Sequence, residues 1–500
     1  GTIDKKQQPL KRGAGTLLPV ASLPSKYGIG TFGKAAFDFI DFLRDSKQKY
    51  WQVLPVGPTG YGDSPYQSFS AFAGNPYFID LEILIEEGLI EREDADSVNW
   101  GDSPACIDYE KIYKERFAVL RKAFSNSSHM KDQKYTDFCE KNSFWLGDYS
   151  LYMAVKEHFG GIEWLRWPDD IRLRKPEAVE AYADKLKQDV QFWSFTQYKF
   201  TEQLQELRRY AHENSVEIIG DIPIYVAMDS ADTWVNTQQF QMDEDHRPLL
   251  VAGVPPDMFS KTGQLWGNPL YDWDYMKKDN FSWWRERMRY SATLYDIIRI
   301  DHFIGIVNYY AIDAEADTAM EGKWNKGPGA ELLNAINEEI GDTLIIAEDL
   351  GVVTKEVTRV LEMSGYPGMK LMQFGFDANP RNSNLPRHFS SNCVVYGGTH
   401  DNETLRGYFE NAGSQIRANA RKALRTKRNR KLVWTIIEAA FRSKADTVVF
   451  HIQDYLELDN SARMNTPSTI GGNWCWRLLQ GQATPQLAHR IAELSEKHRR

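Results

Sequence analysis

Three acidic side chains stand where an apolar, strand-like run gives way to a glycine-containing loop. They are Asp301 in Arg299-Ile300-Asp301-His302-Phe303-Ile304-Gly305, Glu348 in Ala347-Glu348-Asp349-Leu350-Gly351, and Asp401 in Gly398-Thr399-His400-Asp401-Asn402. Paired carboxylates flanking one bond are the equipment of glycosyl transfer: one attacks the sugar, and the other protonates the departing oxygen and later deprotonates the incoming hydroxyl. Glu348 follows Ile345-Ile346-Ala347, and an apolar setting raises a carboxyl pKa, which suits a proton carrier. Asp301 lies two residues after Arg299, a cation that favours the ionised form and so a nucleophile. Asp401 is placed to clamp the hydroxyls of a distorted ring, with His302 and His400 donating further hydrogen bonds. A single strand-end acid is more often a helix cap or an ion-pair partner. Three of them, two beside histidine, shift the balance to catalysis; for either histidine alone a structural role is equally open.

Side chains so far apart in the chain need a scaffold that brings strand ends together. Gly15–Ala21, Tyr50–Val56, Val216–Val226, Leu294–Asp301, Thr343–Glu348, Lys370–Phe376, Val394–Asp401 and Thr447–Tyr455 read as strands, several separated by helical patterns such as Gly329–Ile340 and Ser414–Leu424. Alternation of this kind argues a parallel sheet, and eight units argue a closed barrel with its reactive groups at the C-terminal strand ends. The expected fold class is α/β, a (β/α)8 TIM barrel with large, mainly helical insertions. One catalytic domain spans residues 1–500, with insertions at about 57–80, 81–215 (helical) and 228–290. The last carries three prolines and three glycines around Phe259 and Trp266, as a shaped flap over a cleft would. Gly28-Ile29-Gly30-Thr31-Phe32-Gly33 matches G-x-G-x-x-G, but the acid a dinucleotide site needs about 20 residues later is missing; three glycines of a tight loop account for it better.

Composition narrows the class. Apolar residues are 42% and charged residues 26% of the chain, values of a globular enzyme rather than a disordered or fibrous chain. A net charge of −9, with no basic block carrying interleaved aromatics, argues against nucleic acid; the run Arg425–Lys431 reads as a solvated helix face. No apolar run reaches the roughly 18 residues of a membrane span, and the Lys-rich start lacks the apolar segment of a signal peptide. The four cysteines, Cys106, Cys139, Cys393 and Cys475, are too scattered for a disulfide framework or a zinc site. A cytoplasmic protein is expected, as a monomer or weak homo-oligomer. The 15 Trp and 24 Tyr combine flat apolar faces with polar edges, which suits sugar rings.

The three acidic stretches resemble those of the 4-α-glucanotransferases of glycoside hydrolase family 77, the amylomaltase or disproportionating-enzyme family. So do Asp63-Ser64-Pro65-Tyr66-Gln67-Ser68, Gly253-Val254-Pro255-Pro256-Asp257, Arg463-Met464-Asn465 with Pro467, and Asn473-Trp474 with Trp476-Arg477. The resemblance covers nearly the whole chain. It implies a (β/α)8 barrel with no C-terminal β-sandwich domain and a retaining transfer of α-1,4-glucan segments between maltooligosaccharides or amylose, with no metal or organic cofactor. It gives Asp301 as nucleophile, Glu348 as general acid/base and Asp401 as transition-state stabiliser. Arg299, His400, Asp221, Tyr66 and Ser64 would line the donor sugar, Gln264 and Trp266 the acceptor side, and Asn465 the cleft. Tyr61 and Tyr109 resemble a pair that stacks on a second glucan segment. Ser468, where many relatives have Gly, is a small departure. The rivals are an α-glucan hydrolase with the same acids and a non-catalytic α-glucan-binding protein; the intact acids speak against the second.

Overall fold

Runs such as Ile297-Ile298, Val394-Val395 and Val448-Val449-Phe450 are buried almost completely. A strand covered on both faces reads as a continuous rather than an alternating apolar run. The computed structural model describes residues 1–258, 260–427 and 431–500. In chain order its strands are β1 (Gly13–Leu17), β2 (Tyr50–Gln52), β3 (Glu217–Pro223), β4 (Leu250–Val254), β5 (Gln264–Pro269), β6 (Ile297–Asp301), β7 (Asn308–Asp313), β8 (Gly322–Lys326), β9 (Leu344–Ala347), β10 (Gly368–Leu371), β11 (Cys393–Tyr396) and β12 (Thr447–His451).

Eight of them form one parallel sheet in the order β10–β11–β12–β1–β2–β3–β6–β9. The end strands then meet. Ala347 N–H donates to Pro367 C=O at 2.9 Å, and Met369 N–H donates to the Asp349 carboxylate at 2.9 Å. The barrel is thus closed between β9 and β10 partly by a side chain from the Glu348 loop, and the expected (β/α)8 architecture stands.

The strands are shorter than the apolar runs suggested. Pro19, Pro55 and Pro223 lie at or just beyond the ends of β1, β2 and β3, where a residue without an N–H ends a ladder. From Leu81 to Glu213 the described chain is helical between its turns, as expected. Its longest helix, Lys187–Glu213, is buried on all sides from Phe192 to Phe200 and on one face beyond, at Gln203, Leu204, Leu207 and Ala211, so that it runs through the core before it surfaces.

Three readings need correction. First, beside the mainly helical insertions expected, the chain carries a sheet that was not: β4, β5, β7 and β8 form an antiparallel sheet in the order β5–β4–β7–β8. It has a small core of its own in Val251, Tyr310, Ile312 and Ala319. The flap segment supplies two of its strands, and the other two, between β6 and β9, were passed over although Asn308-Tyr309-Tyr310-Ala311-Ile312-Asp313 carries a β-rich composition. Phe259, around which the flap was drawn, lies outside the described residues. Second, the described part of Arg425–Lys431 is no helix face. It connects the helices Ser414–Ala423 and Leu432–Arg442, with Arg425 in a left-handed conformation at φ 53°; residues 428–430 lie outside the described residues. Third, the last apolar run ends as a strand at His451 and continues as the short helix Ile452–Tyr455.

The glycine-rich loop behaves as a packing feature. A Cβ on Gly30 would lie 1.7 Å from the Val20 carbonyl oxygen, so only hydrogen fits there. Gly30→Ala is expected to lower stability by about 2 kcal/mol or more, read as a lower urea midpoint. An unchanged midpoint would mean the loop has slack the structure does not show.

Candidate active site

Register brings the first two acids together. Ile300 pairs with Ala347 across β6 and β9, and Arg299 pairs with Asp221 across β3 and β6. One step further along, Glu348 N–H donates to Ile300 C=O at 3.1 Å, and Phe303 N–H to Glu348 C=O at 3.0 Å. Asp301 and Glu348 therefore sit on neighbouring strand ends, whose backbones run about 4.8 Å apart.

Beneath them lies a buried cation. Arg299 is 2% exposed, and its Nη1 donates to Asp221 Oδ1 and Oδ2 at 2.8 and 2.9 Å. The same nitrogen is 3.1 Å from Asp301 Oδ1. Burial by itself would push the guanidinium down; Asp221 and then Asp301 more than offset this and hold it charged. Asp221 is raised by its own burial, with Arg299 opposing. Asp301 is thereby supplied with the cation expected beside it.

Glu348 is tuned the other way. Burial first, and then the charge on Asp301, push its carboxyl up to about 8, opposed by Arg299 and by the Leu350 N–H, which donates to Oε2 at 3.0 Å. Two carboxyls on adjacent strand ends are thus separated in character, one against a guanidinium and one that favours its proton.

The third acid comes from the loop after β11. Asp401 is half-exposed, and its Oδ1 accepts from Asn465 Nδ2 at 2.8 Å. Its backbone carbonyl accepts from Arg463 Nη2 at 2.7 Å, and its Oδ2 is 3.4 Å from His400 Nε2. Two of these partners lie beyond the last barrel strand. Beside His400 stands Tyr66, whose hydroxyl donates to Asp221 Oδ2 at 2.5 Å and lies 3.0 Å from His400 Nδ1. With the hydroxyl proton committed to Asp221, Nδ1 of His400 is the donor in that second contact. The Tyr66 and His400 rings stack at 4.3 Å, and Trp474 completes the cluster at 5.8 and 5.7 Å from them. Ser64 turns the loop by accepting the Tyr66 N–H at 3.2 Å.

On the other side, Trp266 meets His302 edge-on at 4.7 Å and donates through Nε1 to Gln264 at 3.1 Å. His302 is 7% exposed, takes a left-handed φ of 56°, and is kept neutral by burial, its pKa pushed down to about 4. Tyr61 is fully exposed, whereas Tyr109 is half-buried with its hydroxyl donating to the Trp474 carbonyl at 2.6 Å. Ser468 sits at φ 63°, the left-handed region that glycine enters at no steric cost. No cluster of three or more His, Cys, Asp or Glu among the described residues could hold a metal ion.

Two participants were absent from the site as read from sequence, Trp474 and Arg463. Both follow β12, where no periodicity points back to the barrel mouth, so only the short motifs around them carried a signal. The raised Glu348 pKa has a consequence for stability. Its contribution is complete below the ordinary carboxyl range, near 4.5, and is lost as pH rises toward about 8, because the folded state then holds a proton the unfolded chain has released. Glu348→Gln removes that loss. Its melting temperature relative to the parent is expected to rise from pH 5 to pH 8.5, by an amount worth about 1 kcal/mol or more; a pH-independent difference would refute the shift.

Comparison with known proteins follows the same outline. The glycoside hydrolase family 77 model, described as 4-alpha-glucanotransferase, matches residues 18–482. A 4-alpha-glucanotransferase of Clostridium butyricum is 49% identical over 478 residues, 95% of this chain and 98% of that protein. One from Thermus thermophilus is 42% identical over 498 residues, 97% and 99% of the two chains. Among solved structures, the amylomaltase from Streptococcus agalactiae in complex with acarbose superposes with a TM-score of 0.95 at 40% identity, covering 98% of this chain and 100% of that one. The match runs through every stretch that builds the barrel mouth, and on that extent and identity the chain belongs to the 4-alpha-glucanotransferase family.

Proposed function

We propose that the protein transfers α-1,4-glucan segments between maltooligosaccharides by a retaining double displacement. The observation that carries this is the asymmetry of two adjacent carboxyls: Asp301 against the buried guanidinium of Arg299, and Glu348 with its pKa raised by burial and by Asp301 itself. Double displacement needs one carboxyl that holds a proton for the leaving oxygen beside one that attacks; Glu348 favours the first role, and Asp301 stands 3.1 Å from the Arg299 guanidinium.

In the first half-reaction the Asp301 carboxylate bonds to the anomeric carbon as the glycosidic bond breaks. The Glu348 proton goes to the departing glucan oxygen, leaving a glycosyl ester on Asp301 and an ionised Glu348. In the second half, Glu348 takes the proton of an incoming 4-hydroxyl, whose oxygen displaces Asp301 and restores both acids. Asp401, steadied by Asn465 and Arg463, holds sugar hydroxyls of the distorted ring, and the Tyr66–His400–Trp474 cluster forms the donor wall. The segment carrying Gln264 and Trp266 limits water at the acceptor side, so that sugar competes as the acceptor. Ordinary work in a reducing cytoplasm fits four free cysteines.

Maltotriose alone tests the reading. The expected products are glucose together with a ladder of longer oligosaccharides, whereas glucose and maltose without longer products would indicate hydrolysis. Asp301→Asn is expected to lower kcat by about 10³-fold or more with a nearly unchanged melting temperature. Retained transfer in that variant would rule out Asp301 as nucleophile.

A further inference from the structure

Arg299 is held at two ends by different chemistry. Its Nη1 meets both oxygens of Asp221 and one of Asp301, while its Nε donates to the sulfur of Met369 at 3.3 Å. Met369 is 3% exposed and is the second residue of β10 (Gly368–Leu371). Once the barrel closes, β9 lies between β6 and β10, and inward side chains of alternate strands share a layer of such an interior. The thioether therefore reaches the guanidinium past the strand that ends at Glu348. Its own backbone is fixed from the same place, because Met369 N–H donates to the carboxylate of Asp349 at 2.9 Å.

A buried N–H of a cation is costly to leave without an acceptor. Sulfur is a weak acceptor and carries no charge, so it satisfies Nε without competing with Asp221 and Asp301 for the guanidinium. The group is planar and rigid. Holding Nε at one end thus restricts where Nη1 lies at the other, and Nη1 makes all three carboxylate contacts. The Arg299 charge also opposes the rise in the Glu348 pKa, so its placement bears on both acids.

We propose that Met369 is a positioning residue for transfer: its thioether keeps Arg299 turned so that Nη1 stays against Asp221 and Asp301. The inference rests on the roles given above to Asp301 and Glu348. Met369 acts on the reaction through Arg299. Without the sulfur the guanidinium turns toward another acceptor and Nη1 leaves Asp301, so the nucleophile loses its cation and Glu348 loses part of what opposes its raised pKa. The groups that face Glu348 are Asp301 and Arg299 from β6, and Asp349 and the Leu350 N–H on its own loop. Of these, Arg299 is the one bonded to the Met369 side chain.

Met369→Leu removes the acceptor at nearly constant volume, and Met369→Gln replaces it with an amide oxygen on a side chain of similar length. Both are compared with the parent full chain for melting temperature, and for kcat and KM on maltotriose over about pH 5 to 10. In Met369→Leu, kcat is expected to fall about fivefold or more while KM stays within about twofold. The alkaline limb of kcat, where Glu348 gives up its proton, is expected to move up by about half a pH unit. Met369→Gln is expected to recover most of kcat and the parent's limb. Parent-like kcat and limb in Met369→Leu would overturn the assignment, as would equal losses in both variants or a change in KM alone, each of which points to packing. Should Met369→Leu fail to fold, Met369→Gln decides: a folded protein with the parent's kcat and limb supports the role of the acceptor, and any other result overturns it. Asp301→Asn is measured beside them. An inactive Asp301→Asn with an unaltered Met369→Leu removes this inference and leaves the transfer reading in place, whereas transfer retained by Asp301→Asn removes the reading itself.

Discussion

The structure depends on one buried guanidinium. Arg299 sits at 2% exposure inside the barrel, where an unpaired cation would be heavily penalised by the loss of its water. Asp221 from the neighbouring strand accepts two contacts from it, and Asp301 at the mouth accepts a third. The charge of Asp301 then becomes part of the environment of Glu348, raising a carboxyl that burial has already raised. A chain of four side chains on three adjacent strands thus sets Asp301 against a guanidinium and leaves Glu348 favouring its proton. All three contacts run through one guanidinium nitrogen, Nη1, while Nε donates to the Met369 sulfur.

The surrounding framework serves to hold that chain in register. Closure between β9 and β10 runs partly through Asp349, which accepts the Met369 N–H; the residue after Glu348 therefore anchors the strand end that presents it. The loop of Asp401 is tied from outside the sheet by Arg463 and Asn465, and the long loop after β2 brings Tyr66 to Asp221 and His400. The small antiparallel sheet stands next to the catalytic strand because β7 begins soon after β6, carrying its own core. Its β5 places Trp266 over His302. Chain segments from both ends of the sequence thereby converge on one cleft.

What the sequence by itself determined was the scaffold and the identity of the acids. Apolar runs covered on both faces read as parallel strands, and acids placed at their ends read as chemistry, because strand periodicity and the burial of carboxyls are local properties. The strand ends were overrun, since an apolar run does not reveal where a proline or a turn stops the ladder. Strands β7 and β8 pair with each other as a local hairpin, but β7 also pairs with β4 far back in the chain, and the small core they share includes the distant Val251. Only the tertiary structure decided that Arg299 is shared between Asp221 and Asp301, and that Trp474 and Arg463 reach the mouth. Each of these is a contact between residues far apart in the chain, and such contacts follow from how the barrel closes, which no single segment encodes.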